Sequence, residues 1–198
     1  MTVPPLLALM GFVLVATLSP GGATTLATAS GANFGLRRSL PLIAGIAMGL
    51  ASMAAAAAAG LAGLLLAAPA LQVALKASGT AYLLWLAWQV GRRSAPRGPG
   101  GGARPQSFVD GLWMLWHNPK GWAMTMGAAA SFAGLAEGPA RLGLLLGAAF
   151  GVSAALSLSL WCCAGLVLGR SLRTTAQWRI LNAALGSLLA LSVLPIWL

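Results

Sequence analysis

Long apolar runs dominate this chain, broken only where charge, proline or clustered glycine intrudes. A helix needs about 20 apolar residues to cross the roughly 30 Å hydrocarbon core of a bilayer. Dividing the runs at those interruptions predicts six spans, near residues 4–29, 39–66, 70–91, 108–133, 141–168 and 179–197. The start of the third is set by Ala68-Pro69, which reads as a turn. Lys76 should lie near a membrane surface, beside that turn or a turn or two into the helix.

Composition sharpens the class. Of 198 residues 59% are hydrophobic and 7% charged, against roughly 25% charged in a soluble domain. Residues 1–36 and 39–75 carry no charge at all, which excludes a water-soluble globule, because no polar face remains to cover a core. High hydrophobicity with few charges excludes intrinsic disorder. The two cysteines, Cys162 and Cys163, are adjacent, which argues against a disulfide scaffold.

The net charge of +10 raises nucleic acid as a partner, but the basic residues are placed otherwise. Arg37 and Arg38, then Arg92, Arg93, Arg97 and Arg104, then Arg170, Arg173 and Arg179 follow spans one, three and five, while Lys76, Lys120 and Arg141 stand alone. No aromatic residues are interleaved with them as a stacking platform requires, so no nucleic-acid partner is expected. The positive-inside rule instead puts those three connections in the cytoplasm and both termini outside it. With Arg37 the first basic residue, the positive region of a signal peptide is missing, and none is expected.

The segment Gly91 to Ser107 is rich in Gly, Pro and Arg and reads as a linker. It divides the chain into residues 1–91, a linker at 92–107, and residues 108–198. Three spans is an odd number, so the second unit enters from the opposite face. The expected fold is an all-α membrane protein, six transmembrane helices in two inverted three-helix repeats, with the first and fourth helices broken.

The breaks carry the candidate chemistry. Ser19-Pro20-Gly21 interrupts span one and Asn118-Pro119-Lys120 interrupts span four; Ser19 and Asn118 are 99 residues apart, half the chain. Each pairs a good N-cap residue with proline at the first helical position, where its missing N–H costs nothing. A helix restarting in mid-membrane presents unsatisfied amides at the positive end of its dipole, which suits a carboxylate. Gly21 and Gly22 allow close approach, and Thr24 and Thr25 add hydroxyls. Lys120 brings a full charge to a depth where charge is expensive and calls for an anion, unless it snorkels to the interface. Candidate substrate contacts are therefore Ser19, Pro20, Gly21, Gly22, Thr24, Asn118, Pro119, Lys120 and Trp122, the last able to meet an ammonium, as backbone carbonyls also can.

Asp110, His117 and Lys120 are the candidates for carrying a coupled proton. Asp110 falls near the start of span four and Glu137 in the connection after it, so no carboxylate relay through the centre is evident. His117 reads as a hydrogen-bonded helix-end residue or a proton carrier, the former preferred. One histidine and two carboxylates make no metal cluster, and no cofactor or catalytic set is expected. Glycines four apart, at Gly31/Gly35, Gly45/Gly49, Gly143/Gly147/Gly151 and Gly165/Gly169, predict close helix packing within the chain and are compatible with a homodimer. The tryptophans read as interfacial belt and core residues.

Four segments together resemble the LysE/RhtB superfamily of bacterial amino-acid exporters. They are Ser19-Pro20-Gly21; Gly35-Leu36-Arg37-Arg38 with Gly45-Ile46-Ala47-Met48-Gly49; the run Leu75 to Leu86; and Phe108-Val109-Asp110-Gly111 leading to Asn118-Pro119-Lys120. The resemblance implies a six-span inner-membrane exporter of amino acids or their relatives, driven by the proton gradient. The family's first motif usually continues with a second proline and often a polar residue, where this chain has Gly22 and Ala23, which points to an unusual substrate. Two other readings are a non-transporting assembly subunit and a thiol-disulfide electron carrier. The second is disfavoured because Cys162 and Cys163 share one apolar helix instead of occupying two.

Overall fold

The computed structural model describes residues 3–61, 68–92, 104–191 and 193–194, and among these the chain is helical without strands. Eight α-helices follow in order: α1 Val3–Leu18, α2 Gly22–Phe34, α3 Leu36–Ala56, α4 Pro69–Gly91, α5 Phe108–Trp116, α6 Pro119–Ser131, α7 Gly138–Ser171 and α8 Thr175–Leu191. The predicted first and fourth spans are both interrupted, at Ser19–Gly21 and at His117-Asn118, and α1 and α2 meet at 56°. By length and apolarity Leu36–Gly60 and Gly138–Ser171 each suffice to cross a bilayer, and the bent pair Pro5–Leu18 with Gly22–Phe34 makes a third.

Several boundaries differ from the sequence reading for local reasons. Gly35 adopts φ +77°, a left-handed turn that suits glycine, so α3 starts at once and takes Arg37 and Arg38 into its first turn. Gly35 is thus a corner and not a packing residue. The last helix starts at Thr175, because the Gln177 side chain accepts from the Arg173 and Thr174 amides while the Thr174 hydroxyl accepts from the Gln177 amide. That reciprocal cap draws Arg179 into α8. Pro69 opens α4 as expected. The side chain of Lys76, most of the arginine-rich linker, the end of the predicted second span and Trp197 lie outside the described residues.

The most extensive packing joins α3 to α7, α2 to α7, α3 to α5 and α4 to α8. Glycine makes the approaches possible. A methyl group at Gly31 would strike the Cys162 carbonyl, one at Gly165 the Thr28 carbonyl, and one at Gly45 the Phe108 carbonyl. Gly143, Gly147 and Gly151 line α7 against Ala55, Ala51 and Ala47 of α3. The periodic glycines therefore pack within the chain, as close-packed membrane helices require.

These contacts also sort the ends of the bundle. A Cβ at Gly35 would lie 3.9 Å from Leu166 Cδ1, and Gly45 backs onto Phe108, which gathers the α2–α3 corner, the start of α5 and the end of α7. Arg37, Arg38, Arg104 and Arg170 belong to that end. There, Ser30 and Ser39 share a hydrogen bond of 2.7 Å and Asn33 donates to Asn182 at 3.1 Å, so polar groups face inward. Large apolar side chains such as Leu144, Leu156 and Leu160 point out from α7. At the opposite end, about 30 Å along α3 at 1.5 Å per residue, a cavity of about 450 Å³ opens among Ala57, Ala58, Met126, Ala130 and Leu142.

Candidate functional site

The last carbonyls of a helix have no partner within it. Where α1 stops in mid-span, each of them has found one. Val15 O accepts from the Ser19 amide at 3.0 Å, and Ala16 O from the Ser19 hydroxyl at 2.9 Å. Thr17 O accepts from Ser157 Oγ at 2.8 Å and Leu18 O from Trp161 Nε1 at 3.2 Å, both reaching across from α7. Ser157 and Trp161 are four apart, hence on one helix face. An unpaired buried carbonyl costs about 1–3 kcal/mol, which applies to Thr17 O; the Trp161 bond to Leu18 O lies at an exposed position of the bundle.

The remaining oxygens of the break belong to Lys120. Its Nζ donates to Ser19 Oγ at 2.8 Å and to Ser19 O at 3.1 Å, with Pro20 O at 3.5 Å. Lys120 stands in the first turn of α6, directly after the second break, so this contact joins the two interruptions. Its side chain is turned to the first break. Gly21 leaves the path clear, since a Cβ there would lie 3.3 Å from Nζ.

On the α6 side, Asn118 caps the restart by accepting the Lys120 amide on Oδ1 at 3.0 Å, with Pro119 at the first helical position. Trp122 donates from Nε1 to Trp116 O at 2.9 Å, and the two indoles meet edge to face at 5.4 Å. Trp116 in turn donates to Ser52 Oγ of α3 at 3.1 Å. Each break is thus braced by an indole N–H on a freed carbonyl. On the α2 side the Thr24 hydroxyl accepts from the Gly21 amide at 2.8 Å and donates to Gly21 O at 2.9 Å.

Between the breaks lies a cavity of about 40 Å³, lined by Thr17, Ser19, Gly21, Gly22, Thr24, Asn118 and Lys120 along with apolar Ile46, Leu50, Leu115, Met124, Ala154 and Leu158. It has room for about three waters at roughly 10–15 Å³ of probe volume each. The structure therefore brings together most of the residues expected at the site. Pro20, Pro119 and Trp122 are not on the cavity wall. Pro119 opens α6 behind its Asn118 cap as expected, but Ser19 and Pro20 do not play the matching part: the Ser19 hydroxyl turns back to Ala16 O, Pro20 lies outside the helix, and Gly21 caps α2 with its amide and carbonyl both closed by Thr24. Trp122 is buried behind the second restart. Thr24 reaches the wall, but its hydroxyl is spent on the α2 start. Trp161 and Ser157 escaped the sequence reading, which placed the tryptophan with the belt and core and did not weigh the serine. The spacing 157–161 alone carries no hint of which carbonyls they meet.

The other proton-coupling candidates stand apart from this wall. Asp110 Oδ2 accepts from the Ser107 amide and hydroxyl, both at 2.8 Å, and its own amide donates to Ser107 Oγ at 3.2 Å, a capping arrangement at the start of α5. His117 ends α5, with Nδ1 2.9 Å from Trp113 O and its ring 4.1 Å from that indole. Glu137 pairs with Arg141 at 3.1 Å in an exposed position. Cys162 is buried and Cys163 half-buried, both free thiols, and the described residues hold no cluster of metal-ligating side chains.

A family model described as LysE type translocator matches residues 14–193, which includes both breaks. A cysteine/O-acetylserine efflux protein from Klebsiella pneumoniae is 33% identical over 113 residues, covering 57% of this chain and 57% of that relative. The aligned region thus spans little more than half the length of that relative. No solved structure matches the chain.

Proposed function

Because the chain belongs to the LysE type translocator family, we propose that it is a secondary transporter exporting amino acids or close derivatives across the bacterial inner membrane. One observation carries this reading: the two helix breaks converge on one cavity, where Lys120 of one meets the backbone of the other. Broken helices facing each other supply dipole ends, freed carbonyls and a fixed cation, which together complement an ammonium and a carboxylate. The efflux protein that matches this chain is named for cysteine and O-acetylserine, and small polar amino acids of that kind are the first substrates to try.

Six spans in two inverted repeats remain our reading of the architecture, with residues 1–91 and 108–198 as the repeats. Packing supports it at the level of whole spans. Exchanging the repeats maps the α3–α7 and α4–α8 contacts onto themselves and interchanges α3 against the fourth span with α7 against the first. At the level of half-helices the symmetry is broken: α2 packs on α7 far more extensively than α1 does, and α5 on α3 more than α6 does. The well-packed halves lie toward the arginine-bearing end, which the positive-inside rule assigns to the cytoplasm, with both termini on the far side. This is the form of a transporter shut toward the cytoplasm and looser toward the outside, as rocking of one repeat against the other produces.

Proton antiport is our reading of the driving force. Lys120 is the titratable group on the cavity wall, whereas Asp110 and His117 are engaged at helix ends, so any coupled proton within the site is most simply carried by Lys120 or by the substrate.

Uptake of a labelled amino-acid panel, cysteine and O-acetylserine included, into inside-out vesicles with an acidic lumen tests the proposal. Wild type should accumulate at least one of them, an uncoupler should abolish this, and Asn118→Ala and Lys120→Ala should reduce it sharply. No wild-type-dependent flux for any of the panel would reject the exporter reading; flux indifferent to both substitutions would reject the site.

A further inference from the structure

The contact between Lys120 and Ser19 holds more than a brace. Three oxygens, Ser19 Oγ, Ser19 O and Pro20 O, surround Nζ at 2.8, 3.1 and 3.5 Å, and a primary ammonium has three N–H donors. The subsite best suited to a substrate's ammonium is therefore already filled by one that the chain supplies. The cavity beside it, about 40 Å³, is too small for even the five non-hydrogen atoms of glycine without some widening. No carboxylate lies on the wall; the other side chains there with polar atoms are Thr17, Ser19, Thr24 and Asn118. The lysine charge is met by oxygen dipoles alone, at a depth where an unbalanced charge is costly.

We propose that a zwitterionic substrate binds by inserting itself into this contact: its ammonium replaces that of Lys120 on the Ser19 and Pro20 oxygens, and its carboxylate takes the released lysine. This deepens the exporter reading and rests on it. Lys120 is a latch when the site is empty and the carboxylate's partner when it is full. The exchange balances. Before it one ammonium has three oxygens; after it two ammonium groups share those oxygens and a carboxylate. A cation lacking the carboxylate would leave two positive charges face to face, and an anion lacking the ammonium would leave the carbonyls of the break without a donor. Recognition thus demands both charges on one molecule.

Two measurements on the full chain in proteoliposomes separate this from the exporter reading. The first uses no substrate. With Cys162 and Cys163 replaced by alanine and Met124→Cys as reporter on the cavity wall, maleimide labelling should rise about tenfold when Lys120→Met removes the charge-assisted bonds, and less for Ser19→Ala, which removes one of them. The Ser19→Ala arm guards against a Lys120→Met protein that fails to fold. Labelling unchanged by both substitutions overturns the latch even where export is robust. The second is competition against labelled O-acetylserine by serine, N-acetylserine and serine methyl ester. Wild type should be inhibited by serine alone, and Lys120→Met should lose its preference for serine over the methyl ester, a change that a merely structural lysine would not produce. Equal inhibition of wild type by all three overturns the insertion. Raised labelling in a protein that moves none of an amino-acid panel overturns the exporter reading and the zwitterion exchange with it, leaving a lysine gate.

Discussion

Lys120 Nζ lies 2.8 Å from the hydroxyl oxygen of Ser19, a residue 101 positions earlier in the chain, and through that contact two separate helix breaks become one site. Neither break could do this alone. The first offers oxygens and the second a cation, and each is held in place by caps and indole donors specific to it.

The cap at the second break is the first target. Asn118→Ala removes the side chain that accepts the Lys120 amide, a loss of about 1 kcal/mol for an N-cap. Thermal unfolding in detergent should fall by about 2–4 °C. Export should fall further than that modest loss explains, because the turn that aims Lys120 is the one left uncapped. Asn118→Asp, which can still accept, should recover the melting temperature.

The donors from α7 should matter for stability. Trp161→Phe keeps most of the shape but removes the N–H that serves Leu18 O, and Ser157→Ala does the same for Thr17 O. Ser157→Ala should cost about 1–3 kcal/mol by leaving a buried carbonyl unpaired, and Trp161→Phe, whose bond is exposed, should cost less. The two act on one break, so their effects in the double variant should depart from additivity. A melting temperature untouched by both would show that water serves these carbonyls instead.

Glycine positions give a paired contrast. At Gly165 an added side chain runs into the Thr28 backbone, whereas at Gly127, on α6, nothing lies within 4 Å. Gly165→Val should cut the yield of folded protein severely. Gly127→Ala should leave it intact or raise stability by up to about 1 kcal/mol, the helix-propensity difference. The readout is monodisperse protein on gel filtration, followed by a melt.

Carboxylates and thiols should prove dispensable for transport. Asp110→Asn should retain most of the proton-driven flux, because its carboxylate is tied to Ser107 at the start of α5. The double variant Cys162→Ala, Cys163→Ala should retain it as well. Loss of flux with either, in protein that is folded and inserted, would return Asp110 to the coupling path or revive the thiol-disulfide reading.

Much of this was legible in the chain because it follows from local rules. Apolar runs near 20 residues, proline after a capping residue, and glycine four apart report helices, breaks and close packing without reference to any partner. Asn118 acts as the cap its type and position suggest, whereas Ser19 does not, because its hydroxyl turns back to Ala16 O and leaves Gly21 to cap α2; the tight glycines meet backbone where the pattern said they would. The errors were local too. Gly35 looked like one more packing glycine because positive φ leaves no trace in composition, and the Thr174/Gln177 cap went unread, so the last helix was expected to start at 179 and in fact starts at Thr175.

What the sequence by itself determined is the class: an apolar, helical chain with two interrupted spans half its length apart and a cation beside one of them. Only the tertiary structure decided what those pieces do together. Helices in an apolar medium are arranged by packing and by the few polar groups that must find partners. Which carbonyl receives Trp161, Ser157 or Lys120 depends on the depth and rotation of helices that are far apart in sequence, and one residue's shift rotates a helix face by 100°. The sequence left Lys120 seeking an anion; the fold set it on the Ser19 and Pro20 oxygens of the other break.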